Sequence, residues 1–141
     1  MSTSFCQDNR ESIQKLMLDK VIGHNNLFKA NFQLRTFNIE TGLLVCRRIK
    51  ERFARVVHKR RTAGIPFFGS LEVKGHLHCH ILTTTPDGMD VLELSDRMKS
   101  VTVKTKGLYP DYHKFKHIDD PKGWIKYITK FEDQNDQLVW F

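Results

Sequence analysis

The chain has 141 residues, enough for one domain with a core of its own. Lys and Arg number 23 against 16 Asp and Glu, giving a net charge of +7 and a pI of about 9.5; a surplus of that size in a small domain suits a polyanionic partner, nucleic acid foremost. Three cysteines (an odd number) without a CxxC pair argue against a disulfide framework and a zinc ribbon, no apolar run approaches the roughly 18 residues of a membrane span, and no GxxxxGK[ST] phosphate loop is present.

Residues 1–10 are polar and carry no secretion signal. Residues 9–22 predict a helix, with Ile13, Leu16, Met17 and Val21 at helical spacing, so residues 1–27 read as an N-terminal helical extension. Residues 28–37 alternate partly with period two and predict a strand. Thr41-Gly42 opens a long helix with the apolar stripe Val45, Ile49, Phe53, Val56 and Val57. Arg47, Arg48, Lys50, Arg55, Lys59, Arg60 and Arg61 decorate its other faces or its end, and Ala63-Gly64-Ile65-Pro66 stops it. Phe67 to Val73 and His76 to Thr84 predict a β-hairpin around Lys74-Gly75. After the turn Pro86-Asp87-Gly88, residues 89–100 fit a helix with Leu92, Leu94 and Met98 apolar. A loop with Gly107 and Pro110 leads to a strand over Tyr112 to Ile118. Asp119-Asp120-Pro121 then starts a helix running to about Glu132, an aspartate cap with proline in the first turn. Residues 134–141 read as a C-terminal tail whose apolar end, Trp140 and Phe141, suits packing, an interface or a cut edge. The central order βαββαβ over residues 28–133 predicts an α+β, ferredoxin-like split βαβ fold, an antiparallel sheet with helices on one face.

One strand carries the strongest chemical signal, Gly75-His76-Leu77-His78-Cys79-His80-Ile81-Leu82. Alternate side chains of a strand share a face, so His76, His78 and His80 point one way and Leu77, Cys79 and Ile81 point into a core. Histidines two apart lie about 7 Å apart at Cα, and their rings can converge on one divalent ion. Glu72 is the nearest acidic candidate. A two-residue loop, Lys74-Gly75, would turn it to the wrong face; a three-residue loop, Val73-Lys74-Gly75, would pair it with His76 on the histidine face and use Gly75 in the left-handed conformation.

A second segment, Gly123-Trp124-Ile125-Lys126-Tyr127-Ile128-Thr129-Lys130-Phe131, places Trp124, Tyr127, Ile128 and Phe131 on one helical face. Tyr127 is then either a core tyrosine or a nucleophile. Lys130, three residues on, supplies an ammonium that can meet a phosphate beside the phenol.

Together the two segments resemble the HUH endonuclease superfamily, which comprises rolling-circle replication initiators, relaxases and single-tyrosine transposases. The resemblance rests on His78-Cys79-His80-Ile81-Leu82 followed by Tyr127-Ile128-Thr129-Lys130, in order, separation and placement, and on a loose match of Phe32-Gln33-Leu34-Arg35-Thr36 to the family's opening-strand motif. His76-Leu77-His78 offers an alternate histidine pair. Phe131 stands where two-tyrosine members carry their second tyrosine, which points to the single-tyrosine branch.

The resemblance implies a site-specific single-stranded DNA endonuclease and strand-joining enzyme. It implies Mg²⁺ or Mn²⁺, less readily Zn²⁺, on His78, His80 and Glu72, with His76 as the alternate ligand. Tyr127 would form a 5′-phosphotyrosine, helped by Lys130. Expected partners are single-stranded or hairpin origin DNA and a host helicase and polymerase, in a prokaryotic cytoplasm or, for a eukaryotic virus, a nucleus. Lys104, Lys106, Lys114 and Lys116 are expected near the DNA, and the basic helix face with Arg47 and Arg55 can follow phosphates or simply face solvent. A transposase is the same chemistry in another role. A non-catalytic ferredoxin-like nucleic-acid-binding module and a zinc hydrolase or zinc-stabilised domain are the alternatives from other classes.

Overall fold

The computed structural model describes residues 9–24, 26–59, 66–73, 75–131 and 136–140. In chain order the elements are α1 (Arg10–Val21), β1 (Leu27–Leu34), α2 (Ile39–Phe53, running on into a π-helical turn Ala54–His58), β2 (Phe67–Glu72), β3 (His78–Thr84), α3 (Val91–Lys104), β4 (Leu108–His117), α4 (Pro121–Ile128) and β5 (Gln137–Trp140). Short polar side chains start the helices after β1. Asn38 accepts from the Thr41 N–H, Asp90 from Glu93 and Asp120 from Gly123, each capping an amide that the helix itself leaves without a partner. The second helix therefore starts at its Asn38 cap, ahead of the Thr41-Gly42 start that composition suggests.

The strands form one antiparallel sheet in the order β4-β1-β3-β2-β5. The first four give the strand order of a split βαβ unit, so the α+β, ferredoxin-like reading of the sequence holds. Its periphery differs from expectation in two ways. Within residues 134–141, expected to be a tail, Gln137–Trp140 adds an edge strand to β2. The helices also cover both faces. Val45, Cys46, Ile49 and Phe53 of α2 and Leu94, Met98 and Val101 of α3 pack with Phe32, Cys79 and Ile81 on one face. Met17 and Val21 of α1 and Ile125 and Ile128 of α4 pack with Phe68 and Leu82 on the other. The histidine face is thus half covered by a second, smaller core, and the N-terminal helix belongs to that layer. No helix among the described residues is long and apolar enough to cross a membrane.

Arg60, Arg61 and the Ala63-Gly64-Ile65 stop lie outside the described residues, as do Lys74, Glu132 and Phe141.

The smaller core makes a stability prediction. Met17 is fully buried. Met17→Ala should cost about 2–5 kcal/mol in denaturant unfolding, the range for truncating a large core side chain. A change below 0.5 kcal/mol, the level of surface substitutions, would show that α1 is a detachable arm.

Candidate active site

The site is built on β3 and its two neighbours. In the ladders Glu72 lies opposite His78 and Ser70 opposite His80, while Gln33 and Asn31 of β1 flank the same histidines from the other side. Residues directly opposite share a face, so Glu72, His78, His80 and Asn31 all point toward α4. This register corrects the expected hairpin. The connection spans residues 73–77, longer than either loop considered from the sequence, yet its parity still brings Glu72 to the histidine face. Gly75 takes a left-handed φ of 72° within it. His76 precedes β3, is exposed, and rests its ring 5.4 Å from that of Phe37; it is not brought to the other two histidines. On the far face Cys79 shares its buried space with Cys46, and that hydrogen-bonded contact together with burial holds its thiol well above the ordinary range.

His80 is buried, with Nδ1 against Asn31 Oδ1 and Nε2 3.1 Å from Glu72 Oε2. Burial lowers its pKa; the Glu72 charge and hydrogen bond pull the other way, and the charges of His78 and Lys130 add to the lowering. The neutral imidazole is the form that ligates metal. A neutral ring carries one N–H and can donate to only one of the Asn31 and Glu72 oxygens; in the tautomer that donates Nδ1–H to Asn31, the Nε2 lone pair is left facing the carboxylate. Two acceptors in that position repel unless a proton or a cation lies between them. His80 Nε2 and Glu72 Oε2 are thus two groups that could hold a divalent cation. An amide oxygen fixing the far ring nitrogen is also the usual support of a ligating histidine. Among the described residues no group of three or more His, Cys, Asp or Glu side chains converges as a ligand cage; His80 and Glu72 are in contact, and the His78 position is next along the same face.

Tyr127 reaches this centre from α4. Ile125 and Ile128 are the residues that α4 buries, and Tyr127 is 46% exposed. It is therefore not a core tyrosine. Its ring stacks on Trp124 (centroids 5.1 Å apart, planes 21° apart) and meets His80 edge-on at 5.5 Å. Trp124 is pinned in turn: its indole N–H donates to the Ile81 carbonyl at 3.1 Å, and Lys29 Nζ lies 4.8 Å from its ring centre. Gly123 leaves room for the capping carboxylate of Asp120, because a Cβ there would lie 2.3 Å from Asp120 Oδ2.

The expected helix to Glu132 ends at Ile128, so Lys130 lies beyond it. Phe131, also beyond the helix, is buried and takes a left-handed φ of 43°. The expected adjacency survives by another route: Lys130 Nζ lies 4.6 Å from the Tyr127 ring centre and 3.5 Å from Glu72 Oε2. Helix α1 fixes this segment. Arg10 donates to the Lys130 carbonyl, and Gln14 donates to the Thr129 hydroxyl at 2.9 Å. Asn31, Arg10 and Gln14 were not found from the sequence, and Trp124 was read there only as part of the apolar helical face that carries Tyr127. Only the pairing of β1 with β3 could have singled out Asn31.

The expected DNA contacts divide. Lys116 is exposed and pairs across the sheet with Lys29, and Lys114 lies opposite Asn31, so the register puts both positions on the histidine face. Lys104 and Lys106 are exposed at the end of α3 and in the turn after it, Lys106 beside Arg35. Arg47 and Arg55 are exposed on α2 and its continuation, in the layer covering the opposite face; they are not brought to the site.

No family model, curated protein or solved structure matches the chain.

Proposed function

We propose that the protein is a metal-dependent single-stranded DNA nicking and strand-joining enzyme with Tyr127 as nucleophile, of the kind that initiates rolling-circle replication. The observation that carries this reading is the convergence of a half-exposed tyrosine, a cationic lysine, a buried His80 and the partly buried Glu72 carboxylate at one point of the sheet face. A core tyrosine would be covered, and a histidine present only for packing would need neither the Asn31 support nor a carboxylate.

His78, His80 and Glu72 would hold a divalent cation, which supplies Lewis-acid polarisation of the scissile phosphate. The phenolic oxygen of Tyr127 attacks phosphorus. The new tyrosyl O–P bond forms as the bond to the 3′-oxygen breaks, and that oxygen leaves as a 3′-hydroxyl with the proton that the phenol has lost. Trp124 holds the attacking ring against β3, which lowers the orientational cost of attack. Lys130, shared between the ring and Glu72, presents its ammonium to the charge that grows on the phosphoryl oxygens. The phosphotyrosine keeps the phosphodiester energy, so an incoming 3′-hydroxyl rejoins strands by the reverse step. Host helicase and polymerase would complete a replication cycle.

The direct test is incubation with labelled single-stranded DNA of mixed sequence and Mn²⁺, followed by a denaturing gel. A chelator-sensitive protein–DNA adduct supports the reading. DNA binding without any adduct favours a non-catalytic binding module.

Lys130 provides an independent prediction. Lys130→Met should slow adduct formation by roughly 10²-fold, the scale of losing one donor to developing charge, while single-turnover assays show DNA affinity almost retained. An equal loss in affinity and rate would make Lys130 a general phosphate contact instead.

A further inference from the structure

Helices α1 and α4 leave a groove of about 230 Å³ between them. Glu11, Lys15 and Leu18 of α1 share one helical face and form one wall. Lys122, Ile125 and Lys126 of α4 form the other. Gln14 also lines the groove, but its amide donates to the Thr129 hydroxyl. Ile125 is buried and Leu18 partly buried, so apolar surface forms the floor. The lining is mostly apolar although four of its seven residues are charged, because lysine stems cover the walls while their ammonium groups stand in solvent. Lys15, Lys122 and Lys126 are all exposed, and among the described residues none of them is in an ion pair. An apolar slot ringed by three uncommitted cations and one carboxylate thus opens to solvent.

We infer that this groove docks an acidic amphipathic segment of another protein, with an apolar side chain in the slot and carboxylates on Lys15, Lys122 and Lys126. The volume lies below the roughly 300 Å³ of a small-molecule site and suits one large apolar side chain. Nucleic acid fits less well: no aromatic ring lines the groove for a base to stack on, and Glu11 repels phosphate. A second copy of this chain, at +7, is a poor source of carboxylates. An apolar anchor in a pocket, with complementary charge around it, is a common way for a helical segment to dock. His78, His80, Glu72, Tyr127 and Lys130 do not line this groove, so the inference stands apart from the nicking reading.

The probe is a fluorescein-labelled, helix-forming peptide of about 15 residues, rich in glutamate and carrying two leucines one turn apart. It is titrated by anisotropy into the whole chain at low salt, while NMR follows the methyl resonances of Leu18 and Ile125. The peptide should bind saturably and shift both sets of methyls. Replacing its leucines by alanine, at unchanged charge, should weaken binding about tenfold, the scale of burying one apolar side chain. Lys15→Glu, Lys122→Glu and Lys126→Glu should each weaken it by about three- to fivefold, the scale of an exposed ion pair. All three lysines are exposed, so these variants keep the fold. Leu18 and Ile125 methyls that stay unmoved, binding that ignores the loss of the leucines, or binding indifferent to all three charge reversals would overturn the docking site. An oligothymidylate that shifts these methyls where the peptide does not would overturn it too, and would assign the groove to nucleic acid. Adduct formation by Tyr127 is measured separately, so either reading can fail while the other stands.

Discussion

Tyr127→Phe should leave a folded protein that still binds single-stranded DNA and forms no covalent adduct with it, a loss of at least about 10⁴-fold in nicking, as expected when a nucleophile is removed. The substitution deletes only the hydroxyl. The ring contacts with Trp124, His80 and Lys130 are those of an aromatic face and edge, and phenylalanine keeps them. Tyr127 is half exposed and lies off the Ile125–Ile128 face that α4 buries, so stability should change by less than about 0.5 kcal/mol. Thermal unfolding and anisotropy with an unlinked oligonucleotide check these two controls beside the denaturing gel. The control matters because Trp124→Ala would also depress the adduct by loosening the ring, and would give partial activity instead of none. An adduct that survives Tyr127→Phe would place the nucleophile elsewhere and remove the central claim.

Much of the fold was legible because its periodicities are clean. Strict alternation from His76 to Ile81 identifies a two-faced strand, and the βαββαβ order leaves few ways to arrange the sheet. The second helical layer was harder to read. In α1 only Met17 and Val21 are buried while Leu16 is 45% exposed, so the apolar stripe is too narrow to show that the helix docks, let alone on which face. Sequence also overextended α4. Phe131 continues the helical spacing, but the helix ends at Ile128, and Phe131 is buried from beyond it at a left-handed φ that no pattern of apolar residues encodes. At the site, His78 and His80 are legible from type and spacing, whereas spacing leaves Tyr127 as either a core tyrosine or a nucleophile. Glu72 depended on a hairpin register that turn chemistry left open. Asn31 acts through a partner distant in sequence, and an asparagine on a strand carries no signal of its own until that partner is known; Trp124 is legible as a neighbour of Tyr127 on the helix, but not its bond to the Ile81 carbonyl.

The decisive measurement for the metal is the removal of residues around His80 one at a time, with Mn²⁺ binding followed by calorimetry or by loss of the free-ion electron paramagnetic signal. His80→Ala should abolish specific binding, because it removes the one ring whose Nε2 already faces the Glu72 carboxylate at 3.1 Å. Asn31→Ala should weaken Mn²⁺ by about 10- to 100-fold, the usual cost of losing the partner that orients a ligating imidazole. Asn31 itself would touch no metal, so a loss of that size is the signature of orientation and not of a missing ligand. Glu72→Gln keeps the shape but replaces an anionic acceptor with an amide, and should fall between the two. These outcomes separate a metal centre from an ion pair. If His80 and Glu72 were only a buried pair sharing a proton, each substitution would lower unfolding stability and none would alter Mn²⁺ uptake, since there would be no stoichiometric uptake to alter. A metal centre predicts the converse ordering, with affinity graded as His80→Ala, then Glu72→Gln, then Asn31→Ala, and with adduct formation by Tyr127 following the same order at limiting Mn²⁺ and converging for Asn31→Ala when the metal is in excess.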